Sequence, residues 1–183
     1  MARYADRCNR LDFRASLSYR FASCIKYPVR RVSRFEPLPR YRLAHGTWTT
    51  PVQVRFGHCD PAGIVYTPEY FDLFNGVIED WYGAALGIPY HALIGERRTG
   101  LGYVHVAADF AKPGRMGDVL EVAVTVSRLG RTSLTLVLQA FKDGLECVRA
   151  TFVTVTTSLE DHRPIPIPDD LRAALEAYRA GGA

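Results

Sequence analysis

The residues best suited to chemistry sit together in one short stretch, GHCDPAGIVYT, running from Gly57 to Thr67. Asp60 lies there on a Pro- and Gly-containing loop, and Thr67-Pro68-Glu69 follows as the start of an apolar run. Thr67 suits a helix cap, Pro68 a first helical turn, and Glu69 complements the helix dipole. The start of a helix presents unpaired N–H groups and a partial positive charge, which bind anions and developing oxyanions. Pro68 has no N–H, so the donors at that end are the amides of Thr67, Glu69 and Tyr70. Thr67, just outside the helix, is the best placed to face a ligand. If the loop folds Asp60 back over this helix end, a carboxylate and an oxyanion-stabilising amide share one place, the minimum for acyl transfer. Carboxylates in general titrate near about 4 and are ionised at neutral pH without further activation. Asp-Pro is also a common turn opener, and on residue types alone the turn role is the simpler reading.

Other reactive side chains have weaker claims. Cys59 adjoins Asp60, but no neighbouring base is evident, and a small packing residue is the simpler role. Glu79 and Asp80 are expected on the polar strip of the helix. His105 alternates with Val104 and Val106 in a strand pattern and could line an acyl pocket, with packing the simpler role. Trp81 and Tyr82 are expected in the core or an interface. The four cysteines, Cys8, Cys24, Cys59 and Cys147, are scattered without a CxxC pair. Neither a metal site nor a disulfide framework is expected, and a reducing compartment fits.

The elements that must position this loop can be read from periodicity. Thr47–Phe56 alternates Trp48, Val52, Val54 and Phe56 with polar neighbours and predicts a strand, with Pro51 near its start or on an edge. After the loop, apolar residues from Tyr70 to Leu86 cover most of a helical circumference. Asp72, Asn75, Gly76, Glu79 and Asp80 leave only a narrow polar strip, so the helix is expected to be mostly buried. Gly87 and Pro89 end it. A short helical turn around Tyr90–Gly95 follows. Then the period drops to two: a strand over Leu101–Ala111, turns at Pro113-Gly114 and Gly117-Asp118, and a strand with Leu120, Val122, Val124 and Val126 on one face. Leu134, Leu136, Leu138 and Ala140 share a face of the next strand. Asp143-Gly144 signals a hairpin, Leu145–Thr157 is the last strand, and Asp169–Tyr178 a terminal helix with an Asp cap. The order is α+β: an antiparallel sheet wrapped around one long helix.

Residues 55–71, RFGHCDPAGIVYTPEYF, resemble the signature of the 4-hydroxybenzoyl-CoA thioesterase family. Phe56, Gly57, Cys59, Asp60, Pro61, Ala62, Gly63, Ile64, Val65, Pro68 and Tyr70 fit its pattern, and looser agreement extends the resemblance over roughly residues 48–175. The resemblance implies a hotdog fold and hydrolysis of an acyl-CoA, with an aromatic acyl group such as 4-hydroxybenzoyl favoured. It makes Asp60 the catalytic aspartate and places Thr67 where the family uses a main-chain amide to polarise the thioester carbonyl. A branch acting on short acyl chains has His at the position of Thr67, and this chain does not. His58 replaces an acidic residue of the aromatic-acyl branch and could tune Asp60, a solvent-facing role being the simpler one. His58, Gly63 and Tyr66 are expected to border the substrate. The CoA nucleotide would rest on Arg128 and Arg131, through paired charged hydrogen bonds. The site would lie at a subunit interface of a homodimer or homotetramer.

Length and charge fit this picture. The 183 residues suffice for one domain with a real core. Residues 1–44 carry eleven Lys and Arg against Asp6, Asp12 and Glu36, so the net charge of +4 belongs to that segment and the rest is mildly acidic. A nucleic-acid-binding body would show a basic face instead. Residues 1–46 are expected as a basic extension outside the fold: a tail, an Arg-rich targeting peptide, or sequence upstream of the true start. The domain is expected over 47–179. No membrane-spanning run of apolar residues exists, a cytoplasmic location is expected, and no cofactor or metal is implied, CoA being part of the substrate. Two other functions compete: a hotdog hydratase or dehydratase, for which no convincing His partner is found, and a non-catalytic acyl-CoA-binding module. Exposed strand edges and an uncovered helix flank argue independently for self-association.

Overall fold

The computed structural model describes residues 35–181, and most of the basic extension lies outside the described residues. Five strands form one antiparallel sheet in the order β1-β3-β4-β5-β2: β1 Thr49–Gln53, β2 Thr99–Phe110, β3 Val119–Leu129, β4 Ser133–Lys142 and β5 Leu145–Ser158. One long helix, α1, spans Glu69–Ala84; α2 is the short turn Tyr90–Gly95 and α3 the terminal helix Asp169–Arg179. Alternation puts Leu120, Val122, Val124 and Val126 of β3 and Leu134, Leu136, Leu138 and Ala140 of β4 into the core. Against them α1 buries Tyr70, Phe74, Val77, Ile78, Trp81 and Tyr82, a stripe at helical spacing. Phe74 meets Phe152 of β5 edge to face at 6.3 Å. Trp81 meets Tyr178 of α3 edge to face at 5.3 Å, and the Tyr178 hydroxyl donates to the Val124 carbonyl at 2.6 Å. The sheet therefore wraps the helix on one side, as the hotdog expectation requires.

Local chemistry sets the boundaries. Asp143 and Gly144 both have positive φ (52° and 75°), the two-residue hairpin that reverses β4 into β5. Gly87, at φ 68°, ends α1 with its N–H on Gly83 and that of Ile88 on Tyr82. Pro51 sits on β1, an edge strand, where a missing donor is tolerated.

Several local expectations are corrected. Thr67 does not cap α1: the capping position is Pro68, with no side-chain cap, and Asp169 likewise lies inside α3 after Pro168. Proline at each helix entry fixes the turn by its own φ, so a side-chain acceptor is not needed there. Phe56 leaves the strand pattern for a 3-10 turn over Phe56–His58 and is exposed. His105 is exposed on β2, not packed in the core. Part of the expected extension, around Pro39, also pairs with the sheet. The segment around Pro39 continues the line of β2 along β5: Pro39 pairs with Leu145, Arg40 N–H donates to Gly144, and Glu146 N–H donates to Leu38. The fully buried Glu146 carboxylate accepts from Leu38 N–H, Gln139 and Arg149, so its charge is paired and hydrogen-bonded.

Candidate active site

The loop between β1 and α1 closes on itself. Cys59 and Val65 form an antiparallel bridge, and Tyr66 N–H donates to His58 at 2.9 Å. The chain therefore enters α1 beside the stretch that carries Asp60. Within the closed loop, Asp60 N–H donates to Ile64 and the Asp60 carbonyl accepts from Gly63, each at 2.9 Å. Its Oδ1 accepts from Ala62 N–H at 2.8 Å, the turn role foreseen for an Asp-Pro pair. That role occupies one carboxylate oxygen only. Oδ2 accepts from no donor among the described residues, and the side chain is half-buried. Gly63 sits at φ 74°, where a side chain would strain the turn.

The amides at the helix entrance divide as their positions dictate. Glu69 N–H is taken by the Tyr66 carbonyl at 2.8 Å. Thr67 N–H and Tyr70 N–H have no acceptor among the described residues, and Thr67 is exposed. A free carboxylate oxygen, a free amide and the positive end of a sixteen-residue helix thus occur on one closed loop.

This loop is held by a second one that sequence reasoning read only as turns, residues 111–118. Val65 N–H donates to Gly114 at 2.9 Å, Met116 N–H to Gly63 at 3.2 Å, and Ile64 pairs with Arg115. Gly114 N–H donates to the buried Tyr70 hydroxyl at 2.7 Å. A Cβ on Gly114 would stand 3.1 Å from that hydroxyl and 3.3 Å from Val65 Cγ2, so glycine is what permits the approach. Burial raises the Tyr70 pKa, partly offset by the Gly114 N–H, and keeps the phenol neutral. Asp118 Oδ2 accepts from Lys142 at 2.6 Å and from Arg115 N–H at 2.7 Å. Its hydrogen bond with Lys142, foremost, holds the Asp118 carboxyl below the usual range. Tyr70 looked like one more apolar position on the helix. Its hydroxyl, which needs a partner once buried, was the available signal.

The remaining expected residues are placed as follows. His58 Nδ1 accepts from Arg55 N–H at 3.0 Å, so the ring serves its own turn and does not hydrogen-bond Asp60. Tyr66, near the end of the loop, is 56% exposed. Arg128 lies near the end of β3 and Arg131 in the turn after it, whereas the loop borders the start of that strand, where Val54 N–H donates to Asp118. Within one copy the structure does not bring them to Asp60. Trp81 and Tyr82 are core, Glu79 and Asp80 exposed, and Cys59 is half-buried against the core. Among the described residues no cluster of His, Cys, Asp and Glu could hold a metal, and no helix is long and apolar enough to cross a membrane.

Residues 54–175 match the sequence profile of the thioesterase-like superfamily. The chain belongs to this superfamily. The chain is 26% identical over 124 residues to a 1,4-dihydroxy-2-naphthoyl-CoA hydrolase of Synechococcus elongatus, a match covering 67% of this chain and 90% of that protein. The acyl-CoA thioesterase YbgC of Haemophilus influenzae is 23% identical over 125 residues, covering 68% and 91%. Among solved structures, a thioesterase superfamily protein from Jannaschia sp. is 29% identical with a TM-score of 0.67, covering 71% of this chain and 91% of that one. The fold is the hotdog fold, and this superfamily member is a thioester hydrolase.

Proposed function

We propose that Asp60 and the Thr67 amide are the catalytic groups and that the substrate is an aromatic acyl-CoA, of which 4-hydroxybenzoyl-CoA is one candidate. The observation that carries the reading is the pairing, on one closed loop, of an unengaged Asp60 oxygen with an unengaged Thr67 N–H. The amide donates to the thioester carbonyl oxygen and, with the helix dipole, holds the charge that oxygen gains, worth about 3 kcal/mol for a donor of this kind. Asp60 then adds to the carbonyl carbon or removes a proton from a water that does so. In either case the C–S bond breaks and CoA leaves as the thiol after taking a proton from solvent. Addition by Asp60 gives a mixed anhydride that water opens to the free acid. The absence of His at position 67 and the name of the 1,4-dihydroxy-2-naphthoyl-CoA hydrolase relative both support an aromatic acyl group.

A homodimer joined along β2 fits the same reading. That strand is a free edge twelve residues long, with Val104 65% and Val106 37% exposed. A long apolar edge is a template for pairing with a second copy. The other edge, β1, has five residues and contains Pro51, which blunts it.

Thiol release measured across benzoyl-, 4-hydroxybenzoyl-, phenylacetyl- and straight-chain acyl-CoAs tests the substrate class, with the aromatic esters expected to give the higher kcat/KM. Asp60→Asn is expected to lower kcat on the best of them at least about a hundredfold, the usual size of lost acid–base catalysis. Turnover near the wild-type rate in that variant removes Asp60 from the mechanism.

A further inference from the structure

Gly114 grips both ends of the short segment that carries the Thr67 amide. Its carbonyl accepts from Val65 N–H at 2.9 Å, and its N–H donates to the Tyr70 hydroxyl at 2.7 Å. Val65, Gly114 and Tyr70 are all buried, whereas Tyr66, Thr67 and Pro68 between the two grips are exposed. The helix itself does not aim the Thr67 N–H: α1 begins at Glu69, and residue 67 precedes its first hydrogen-bonded turn. Within the segment, Glu69 N–H donates to Tyr66 and closes a turn around Thr67. The direction of the Thr67 amide is therefore set by that turn and by where the chain is held on either side of it.

We propose that Tyr70, acting through Gly114, is a positioning residue for the Thr67 amide, an inference that rests on the reading of Thr67 above. An oxyanion donor is effective when it is already aimed at the place where charge develops. A displacement of about 1 Å in such a site can cost about a hundredfold in rate. Without the phenol oxygen, the buried Gly114 N–H has no acceptor, and the residue must move to find one. The same movement loosens its carbonyl from Val65, so both ends of the segment are released together. The Tyr70 ring is packed on Phe110 at 5.4 Å and on Phe74 at 6.2 Å, contacts that Tyr70→Phe retains. That substitution removes the grip and leaves the packing.

The test sets Tyr70→Phe against Tyr178→Phe in the full-length protein. Tyr178 is also buried and its hydroxyl also serves main-chain groups, Trp48 N–H and the Val124 carbonyl, neither of them in the two loops. Kinetics are measured on the best acyl-CoA ester of the wild type, well below every melting temperature. Tyr70→Phe is expected to lower kcat at least about tenfold with KM within about twofold of wild type. Tyr178→Phe is expected to lose comparable stability and to keep kcat within about twofold. Wild-type kcat in Tyr70→Phe, or equal losses in the two variants, overturns the proposal.

Native-state hydrogen exchange is the second readout. Tyr70→Phe is expected to cut the protection of Val65 and Glu69 N–H at least about tenfold further than that of the β4 amides, and Tyr178→Phe is not. If Tyr70→Phe fails to fold, wild type alone decides: protection of the Val65, Glu69 and Gly114 amides within about tenfold of one another supports a single clamp, and a wider spread overturns it. If Asp60→Asn and Thr67→Pro both turn over like wild type, the reading of the Thr67 amide fails instead. The exchange comparison then decides by itself whether Tyr70 orders the segment.

Discussion

At position 67 the proposed catalytic group is the main-chain N–H, and two substitutions separate it from the side chain. Thr67→Ala keeps the amide, and kcat is expected to stay within about threefold, since the hydroxyl caps nothing. Thr67→Pro deletes the N–H, and kcat should fall about 10²- to 10³-fold with KM much less affected, the signature of a lost oxyanion donor. Steady-state kinetics on one aromatic acyl-CoA checks both, and equal effects from the two substitutions would place the role in the side chain. Tyr70 works differently, because its hydroxyl receives the Gly114 N–H in a buried setting. Tyr70→Phe leaves that donor unpaired and is expected to cost about 1–3 kcal/mol of stability in urea unfolding. Cys147, behind the same loop, has its thiol pushed up to about 11 by burial and donates to the Ala140 carbonyl. It is an inert packing thiol at neutral pH.

Two loops from distant parts of the chain, 57–67 and 111–118, make one element in space, and Asp118 is the rivet between the second loop and β4. Its carboxylate holds the Arg115 turn and the Lys142 ammonium together. The folded-state pKa of Asp118 is lowered, so its stabilisation is fully present above the ordinary carboxylate pKa and is lost as pH falls through the lower folded value. Asp118→Asn is therefore expected to cost about 1 kcal/mol at pH 7 and almost nothing near pH 2. Urea unfolding at the two pH values measures this. A cost that is equal at both would mean that the ion pair contributes nothing and that the backbone contact acts alone. Closer to the chain's described start, the segment around Pro39 completes the sheet where β2 stops, with Glu146 buried beneath it.

A single copy leaves β2 unpaired on its outer side, with Tyr103, Val104, Val106 and Phe110 exposed along it. Val104→Lys with Val106→Lys places charges on that edge without touching the core. Sedimentation is expected to show the wild type as a dimer or larger and the variant as a monomer. If the site is completed across the interface, kcat/KM falls at least about tenfold with dissociation. A variant that stays associated would show that the copies join elsewhere.

The elements, the order of strands and helices, and the position of the reactive loop were all legible in the residues. Period-two and period-3.6 patterns report which side of a segment meets the core. The superfamily could be recognised because the loop from Phe56 to Tyr70 does local work, turning at Gly63 and entering a helix at Pro68, with neighbours close in sequence. Only the fold decided which groups are spent and which are free. It tied Glu69 N–H to Tyr66 and left Thr67 N–H open, turned His58 toward Arg55, and brought Gly114 against Tyr70 across forty-four positions. It also placed Arg128 at the other end of β3 from the loop and set Arg115 against Ile64. Those are long-range pairings. A local pattern fixes the face a side chain occupies, but its partner depends on which strands meet.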